Sequence, residues 1–205
     1  MRTEKAIECV DLTFLEIKLQ EIESKVRNEN LKPKNDHYTR SYPSLIKAVR
    51  RIRRCRKHRD LESLLLIAHV AYGWMPTIIK SDFKNEEASF LWKKIASAST
   101  DDEFLSKISK CINDSIIGAS KFLHFINPDE YAIWDSRVYQ SIIRKNSTYT
   151  PNRINCFIFY TKKLRKLSKE FKVMCFKRRL RALGYCDRDT SHLRVIELIL
   201  FLTSP

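Results

Sequence analysis

An aspartate that opens a helix after an apolar run can do chemistry, and Asp135 stands in that position in Tyr131-Ala132-Ile133-Trp134-Asp135-Ser136-Arg137-Val138. The dipole and free N–H groups of a helix start favour a negative side chain there. A carboxylate held in this way can stabilise a developing positive charge, or position and deprotonate a water. It can also be a helix cap and nothing more. Upstream, a helix ends near Ile112, Asn113-Asp114-Ser115-Ile116-Ile117-Gly118 reads as a short hairpin, and a second helix starts at Ala119. The exposed N-terminus of a second helix offers backbone N–H groups to a phosphate. Asn113, Ser115 and Gly118 are therefore candidate phosphate contacts, joined by Lys121 and Arg137. A buried pair of antiparallel helices would have a similar sequence. Tyr72, Trp74, Tyr131 and Trp134 are candidates to wedge against or enclose a flat ligand, with Trp134, beside Asp135, the first choice. Each of them also suits a core.

The charge balance indicates a partner. In 205 residues, 39 Lys and Arg stand against 24 Asp and Glu, a formal net charge of +15. That excess opposes compaction through self-repulsion and fits a polyanionic ligand, whose counterions are released on binding. Residues 45–59 read as a helix with positive charge around most of its circumference, and Arg50, Arg53, Arg54 and Lys57 are its candidate phosphate ligands. A second basic run extends from Lys162 to Arg181.

Other chemistries lack their signatures. No two of Cys9, Cys55, Cys111, Cys156, Cys175 and Cys186 lie within four residues of each other, so zinc ribbons and iron–sulfur boxes are disfavoured. The histidines make no metal-ligand spacing, and no phosphate-binding loop, dinucleotide glycine pattern or nucleophile elbow occurs. No metal or cofactor is expected. No apolar run approaches the roughly 20 residues of a membrane span, and no secretory leader is evident, so the expected location is cytoplasmic, with reduced and mostly buried thiols.

The elements that must position these residues read as helices. Glycine numbers three and proline six, too few turn residues for an all-β fold. Apolar spacing predicts helices at 4–28, 45–59, 60–72 (capped by Asp60), 86–98, 101–112, 119–126, 136–145, 152–172 and 188–202. Residues 29–43 read as a connection, with Ser44 a cap for the helix after it.

On these residues the chain resembles the helix-hairpin-helix DNA glycosylase superfamily, especially its 8-oxoguanine glycosylase branch. Ala119, Ser120, Phe122 and Leu123, then Ala132, Ile133 and Asp135, match the family order of hairpin, helix and apolar approach to an aspartate. The resemblance covers about 25 residues within 111–140. It implies an all-α, two-lobed single domain over 1–205, monomeric, acting on double-stranded DNA, with Asp135 as the catalytic carboxylate. Two departures matter. Asn113 and Ser115 stand where the family hairpin holds glycines, and Ile117 stands where bifunctional members carry a nucleophilic lysine, Lys121 lying a turn further on. A lost lysine implies a monofunctional enzyme that hydrolyses the base and leaves an abasic site. The likeness extends to small bacterial glycosylases that act against phages on hypermodified cytosine, which implies glucosylated hydroxymethylcytosine in phage DNA as substrate and antiviral defence as role. The alternative is a non-catalytic DNA-binding helix-hairpin-helix module.

Overall fold

The computed structural model describes residues 2–28, 37–55, 59–74, 78–143 and 153–204. Those residues form an all-α fold of eleven helices. They are α1 (Arg2–Glu8), α2 (Leu12–Arg27), α3 (His37–Arg54), α4 (Leu61–Gly73), α5 (Asn85–Ala96), α6 (Asp102–Cys111), α7 (Ile116–Ile126), α8 (Ser136–Ile142), α9 (Ile154–Leu167), α10 (Phe171–Ala182) and α11 (His192–Leu202). The only isolated β-type pairing among the described residues is an antiparallel bridge between Ser81 and Ile112. No helix among them is long and apolar enough to cross a membrane.

Side-chain caps set many of the helix starts. Asp60 accepts from the Ser63 N–H at 2.8 Å, as its spacing predicts, and Asp101 accepts from the Phe104 N–H at 2.8 Å. Asp11 does the same for Phe14 at 2.8 Å, and this cap divides the single helix expected over 4–28 into α1 and α2. The break is hidden in the sequence because Ile7, Val10, Leu15 and Leu19 keep an apolar rhythm across it.

Pro43 lies inside α3, so the expected connection at 37–43 is helical and Ser44 is not its cap. An interior proline costs about 3 kcal/mol. Tyr42, Ile46 and Val49 line one buried face of the helix, and their burial outweighs that cost. The helix expected over 152–172 ends at Leu167, and the basic stretch after it is itself helical, as α10. Among the cysteines, Cys111 and Cys156 are buried, Cys55, Cys175 and Cys186 half-buried, and Cys9 exposed, contrary to the expectation of mostly buried thiols. Residues 29–36, expected as part of a connection, and Lys57, expected on the basic helix, lie outside the described residues.

The helices pack in two groups. α3, α4 and α6 pack on α7, whereas α2, α8 and α10 pack on α11, and α9 touches both central helices. One continuous hydrophobic core runs through both groups. The segment between α7 and α8 therefore passes from one group to the other and carries Asp135 to their junction.

Close packing of α4 on α7 depends on Gly118. A Cβ at that position would overlap the Tyr72 hydroxyl and lie 3.1 Å from the Ile112 side chain. Gly118→Ala should destabilise the fold by about 1–3 kcal/mol in denaturant unfolding. Adding Tyr72→Phe, which removes the overlapping oxygen, should recover part of that loss; strictly additive losses would contradict this packing.

Candidate functional site

The α6–α7 hairpin turns on two left-handed residues, Asn113 (φ 54°) and Asp114 (φ 45°). Asn and Asp tolerate that conformation better than other residues with side chains. Of the two positions singled out in the sequence, Asn113 makes the left-handed turn together with Asp114, whereas Ser115 is extended (φ −141°) and caps α7. Helix α7 starts at Ile116, not Ala119.

The residues expected to hold phosphate here hold the fold instead. Asn113 Oδ1 accepts from the Lys80 N–H at 2.7 Å, its Nδ2 donates to the Ile78 carbonyl at 3.0 Å, and its backbone N–H donates to Lys80 at 2.9 Å. Ser115 Oγ accepts from the Gly118 N–H at 3.4 Å, and Gly118 is buried beneath Tyr72. The residue that the hairpin exposes is Asp114, whose carboxylate repels phosphate.

One turn into α7 the arrangement changes. Residues 131–135 run extended, and two α7 side chains a turn apart hold them. Ser120 Oγ accepts from the Trp134 N–H at 3.1 Å, and lies within donating distance of the Ile117 carbonyl at 2.8 Å and the Trp134 carbonyl at 3.1 Å. His124 Nδ1 lies 2.7 Å from the Tyr131 carbonyl. A carbonyl only accepts, so Nδ1 carries the proton, and Nε2 accepts from the Tyr42 hydroxyl at 2.7 Å. Burial, helped by the charge of Arg194, lowers the His124 pKa to about 3, so the ring is neutral. The Tyr160 hydroxyl adds a bond to the Ile133 carbonyl at 3.3 Å.

This segment delivers Asp135 to the start of α8, where Oδ1 accepts from the Val138 N–H at 2.9 Å. The carboxylate is half-buried. Lys121 projects from α7, also half-buried; burial lowers its pKa against the opposing pull of Asp135 and Glu197. Beside Asp135, Arg137 is exposed with its guanidinium 4.9 Å from the Phe201 ring centre.

Behind this pair lies a sealed one that the sequence reading missed. Arg194 and Glu197 of α11 are buried and ion-paired. The Arg194 guanidinium also stands 4.7 Å from the Tyr42 ring centre and 5.6 Å from that of Trp74. Glu197 Oε1 and Arg194 Nε have no hydrogen-bond partner among the described residues. Burial, against the pull of Arg194 and reinforced by Asp135, pushes the Glu197 carboxyl up to about 7. Their signal in the sequence was two charges three residues apart inside the otherwise apolar Leu193–Leu202.

The four aromatic candidates are core residues. Trp134 and Tyr131 are 0% exposed, Trp134 against Tyr139 and Tyr160 and Tyr131 with its hydroxyl on the Ser99 carbonyl at 2.9 Å. Trp74 is buried and donates to the Tyr38 carbonyl at 3.1 Å, and Tyr72 is buried over Gly118. None presents a free ring to a ligand in this conformation. On α3, Arg53 donates to the last carbonyl of α7, Ile126, at 3.0 Å, and Arg50 to the Asp189 carbonyl at 3.4 Å. The outward stripe of α3 is Arg40, Ser44, Lys47, Arg51 and Arg54, spaced by three or four residues. Lys57 lies outside the described residues.

Glu197 carries a pH signature. Its folded pKa stands above the ordinary 4.5, so the native state binds this proton more tightly than the unfolded chain does. Stability from this group is therefore full below about 4.5 and is lost as pH rises to about 7, by up to about 3 kcal/mol at roughly 1.4 kcal/mol per pH unit. Unfolding free energies measured across that window should lose this downward slope in Glu197→Gln; equal slopes in both proteins would refute the assignment.

No protein-family model matches the chain, and no curated protein or solved structure matches it either, so what the site does has to be read from its own residues.

Proposed function

We propose that the protein is a DNA glycosylase that hydrolyses the N-glycosidic bond of an extruded, modified base and leaves an abasic site. The observation that carries this reading is Asp135: a half-buried carboxylate, fixed at a helix start by a pegged segment, beside a desolvated lysine. The net charge of +15 and the exposed cations of α3 supply affinity for the phosphate backbone. Glucosylated hydroxymethylcytosine in phage DNA, with antiviral defence as the role, is the substrate class that the sequence resemblance supports. The protein would act as a monomer.

In the proposed reaction the target nucleotide leaves the stack at a cost of a few kcal/mol. As the bond from C1′ to the base breaks, its electron pair leaves with the base and the sugar gains oxocarbenium character. The Asp135 carboxylate stabilises that charge and takes a proton from a water whose oxygen bonds to C1′. The proton passes to the departing base. Arg137, exposed on the first turn of α8, is placed to hold a flanking phosphate.

Lys121 favours a second reading. It makes no ion pair among the described residues, and burial raises the fraction of its amine that is neutral and nucleophilic at a given pH. The lysine that the sequence reading counted as lost at Ile117 has a counterpart one turn along. Attack of that amine on C1′ would expel the base and give an imine, opening a route to strand cleavage.

One assay addresses both. The purified protein is incubated with unmodified DNA and with glucosylated hydroxymethylcytosine phage DNA, and released base and abasic sites are measured. Base should be released from the modified DNA, and Asp135→Asn should abolish that release with little loss of stability, because asparagine caps a helix about as well as aspartate. Borohydride added to the same reaction should trap a covalent adduct that Lys121→Gln removes if the amine attacks, and none if water does. Salt-sensitive binding to both DNAs with no base released would contradict the glycosylase reading and leave the binding module.

A further inference from the structure

The basic run from Lys162 to Arg181 takes no part in the site above, and the fold sorts its charges into two sets. One set is held by partners within the fold. Arg179 is clamped by Glu23 at 2.8 and 2.9 Å and by Glu16, Lys172 reaches Glu16 at 3.4 Å, and Lys177 donates to the Arg188 carbonyl at 2.7 Å. These contacts tie α10 to α2 and to the loop beyond it. Val173, Phe176 and Leu180 complete the buried face.

The other set faces outward. Phe171, Met174, Arg178 and Arg181 are exposed and spaced by three, four and three residues, so they form one stripe of about 15 Å along α10. Phe171 is 73% exposed and Met174 43%. Phe171 is the only aromatic among the exposed large hydrophobic residues described; the others are Ile17, Leu66, Ile78 and Met174. The side chains of Arg178 and Arg181 make no ion pair or hydrogen bond among the described residues, and Lys162, Lys166 and Lys169, spaced by four and three along the end of α9 and the turn after it, are exposed with side chains likewise unpaired. Beyond the stripe, Gly184–Asp187 and Thr39, Arg40 and Pro43 line a cleft of about 460 Å³, so the loop after α10 adjoins the start of the basic α3 stripe.

We propose that the outward stripe of α10 is a second nucleic-acid surface that binds an unpaired stretch of polynucleotide, with a base stacked on Phe171 and phosphates on Arg178 and Arg181. An exposed ring in line with unneutralised cations is the arrangement that holds single strands, because every base offers a flat face and the strand between bases is charged. A duplex would use the cations but hide its base faces from the ring. A membrane surface would need a broad apolar face, and α10 exposes only Phe171 and Met174 as large apolar residues, beside the exposed cations Lys172, Arg178 and Arg181. The proposal does not depend on Asp135 or on base release.

The test measures binding of a fluorescein-labelled dT20 strand and of a 20-base-pair duplex by anisotropy, over a series of salt concentrations. Phe171→Ala should weaken dT20 binding by about tenfold, from the loss of one stacked base, and leave duplex binding within twofold. Arg178→Gln with Arg181→Gln should reduce the slope of log affinity against log salt for dT20 by about 1.4, at roughly 0.7 per phosphate on a single strand. All three residues are exposed, so the variants should melt as the parent does. Unchanged dT20 affinity in Phe171→Ala, or an unchanged salt slope in the double variant, would overturn the proposal. So would loss of binding to phosphatidylserine vesicles in these variants with dT20 binding intact, which would assign the stripe to a lipid surface.

Discussion

Extended backbone that crosses an apolar interior needs partners for its carbonyls and N–H groups, and residues 131–134 find several of theirs on side chains of α7 and α9. Ser120 satisfies the N–H of Trp134, His124 the carbonyl of Tyr131, and Tyr160 the carbonyl of Ile133. Each bond contributes only about 1 kcal/mol net, but leaving such a group unpaired in the core costs about 1–3 kcal/mol. The path is therefore steeply defined, and the position of Asp135 follows from it. The His124 ring can serve only while neutral, and burial keeps it so.

The second constraint is charge inside the fold. Arg194 and Glu197 are sealed between the helix groups, where removing one partner would strand the other at a cost of about 3–5 kcal/mol. The rings of Tyr42 and Trp74 offset part of the cost of burying the guanidinium. Glu197 acts on the half-buried Lys121 through space, supporting the charged amine, and its own proton affinity is raised by Asp135. Two carboxyls and two bases thus share a small volume at the junction of α7, α8 and α11.

Parts of this were legible in the sequence because they obey local rules. Asp60 and Asp135 cap helices where an apolar run begins or a polar stretch intervenes, and Ala119, Phe122 and Leu123 of α7 are buried, as are Ala132 and Ile133 in the segment that leads to Asp135. What failed depended on distant partners. Asn113 reads as a phosphate contact until residues 78–80 arrive to take up its amide. Arg53 reads as a free cation until the C-terminus of α7 lies beside it. Trp134 borders Asp135 in the chain, but it ends a run from Tyr131 that is buried throughout, and the chain reaches half-buried ground only at Asp135. Asp11 and Pro43 misled in opposite directions, since a cap can interrupt an unbroken apolar rhythm and packing can carry a helix through a proline.

In the proposed reaction Lys121 and Asp135 face a distorted nucleotide. The most direct measurement is the change in amide chemical shifts of ¹⁵N-labelled protein on titration with a duplex that carries one abasic-site analogue, compared with the same duplex intact. Lys121, Asp135, Ser136 and Arg137 should shift with the abasic duplex only, over a common background on the exposed cations of α3. Identical shifts from both duplexes, with those four residues unmoved, would contradict it and reduce Asp135 to the cap of α8.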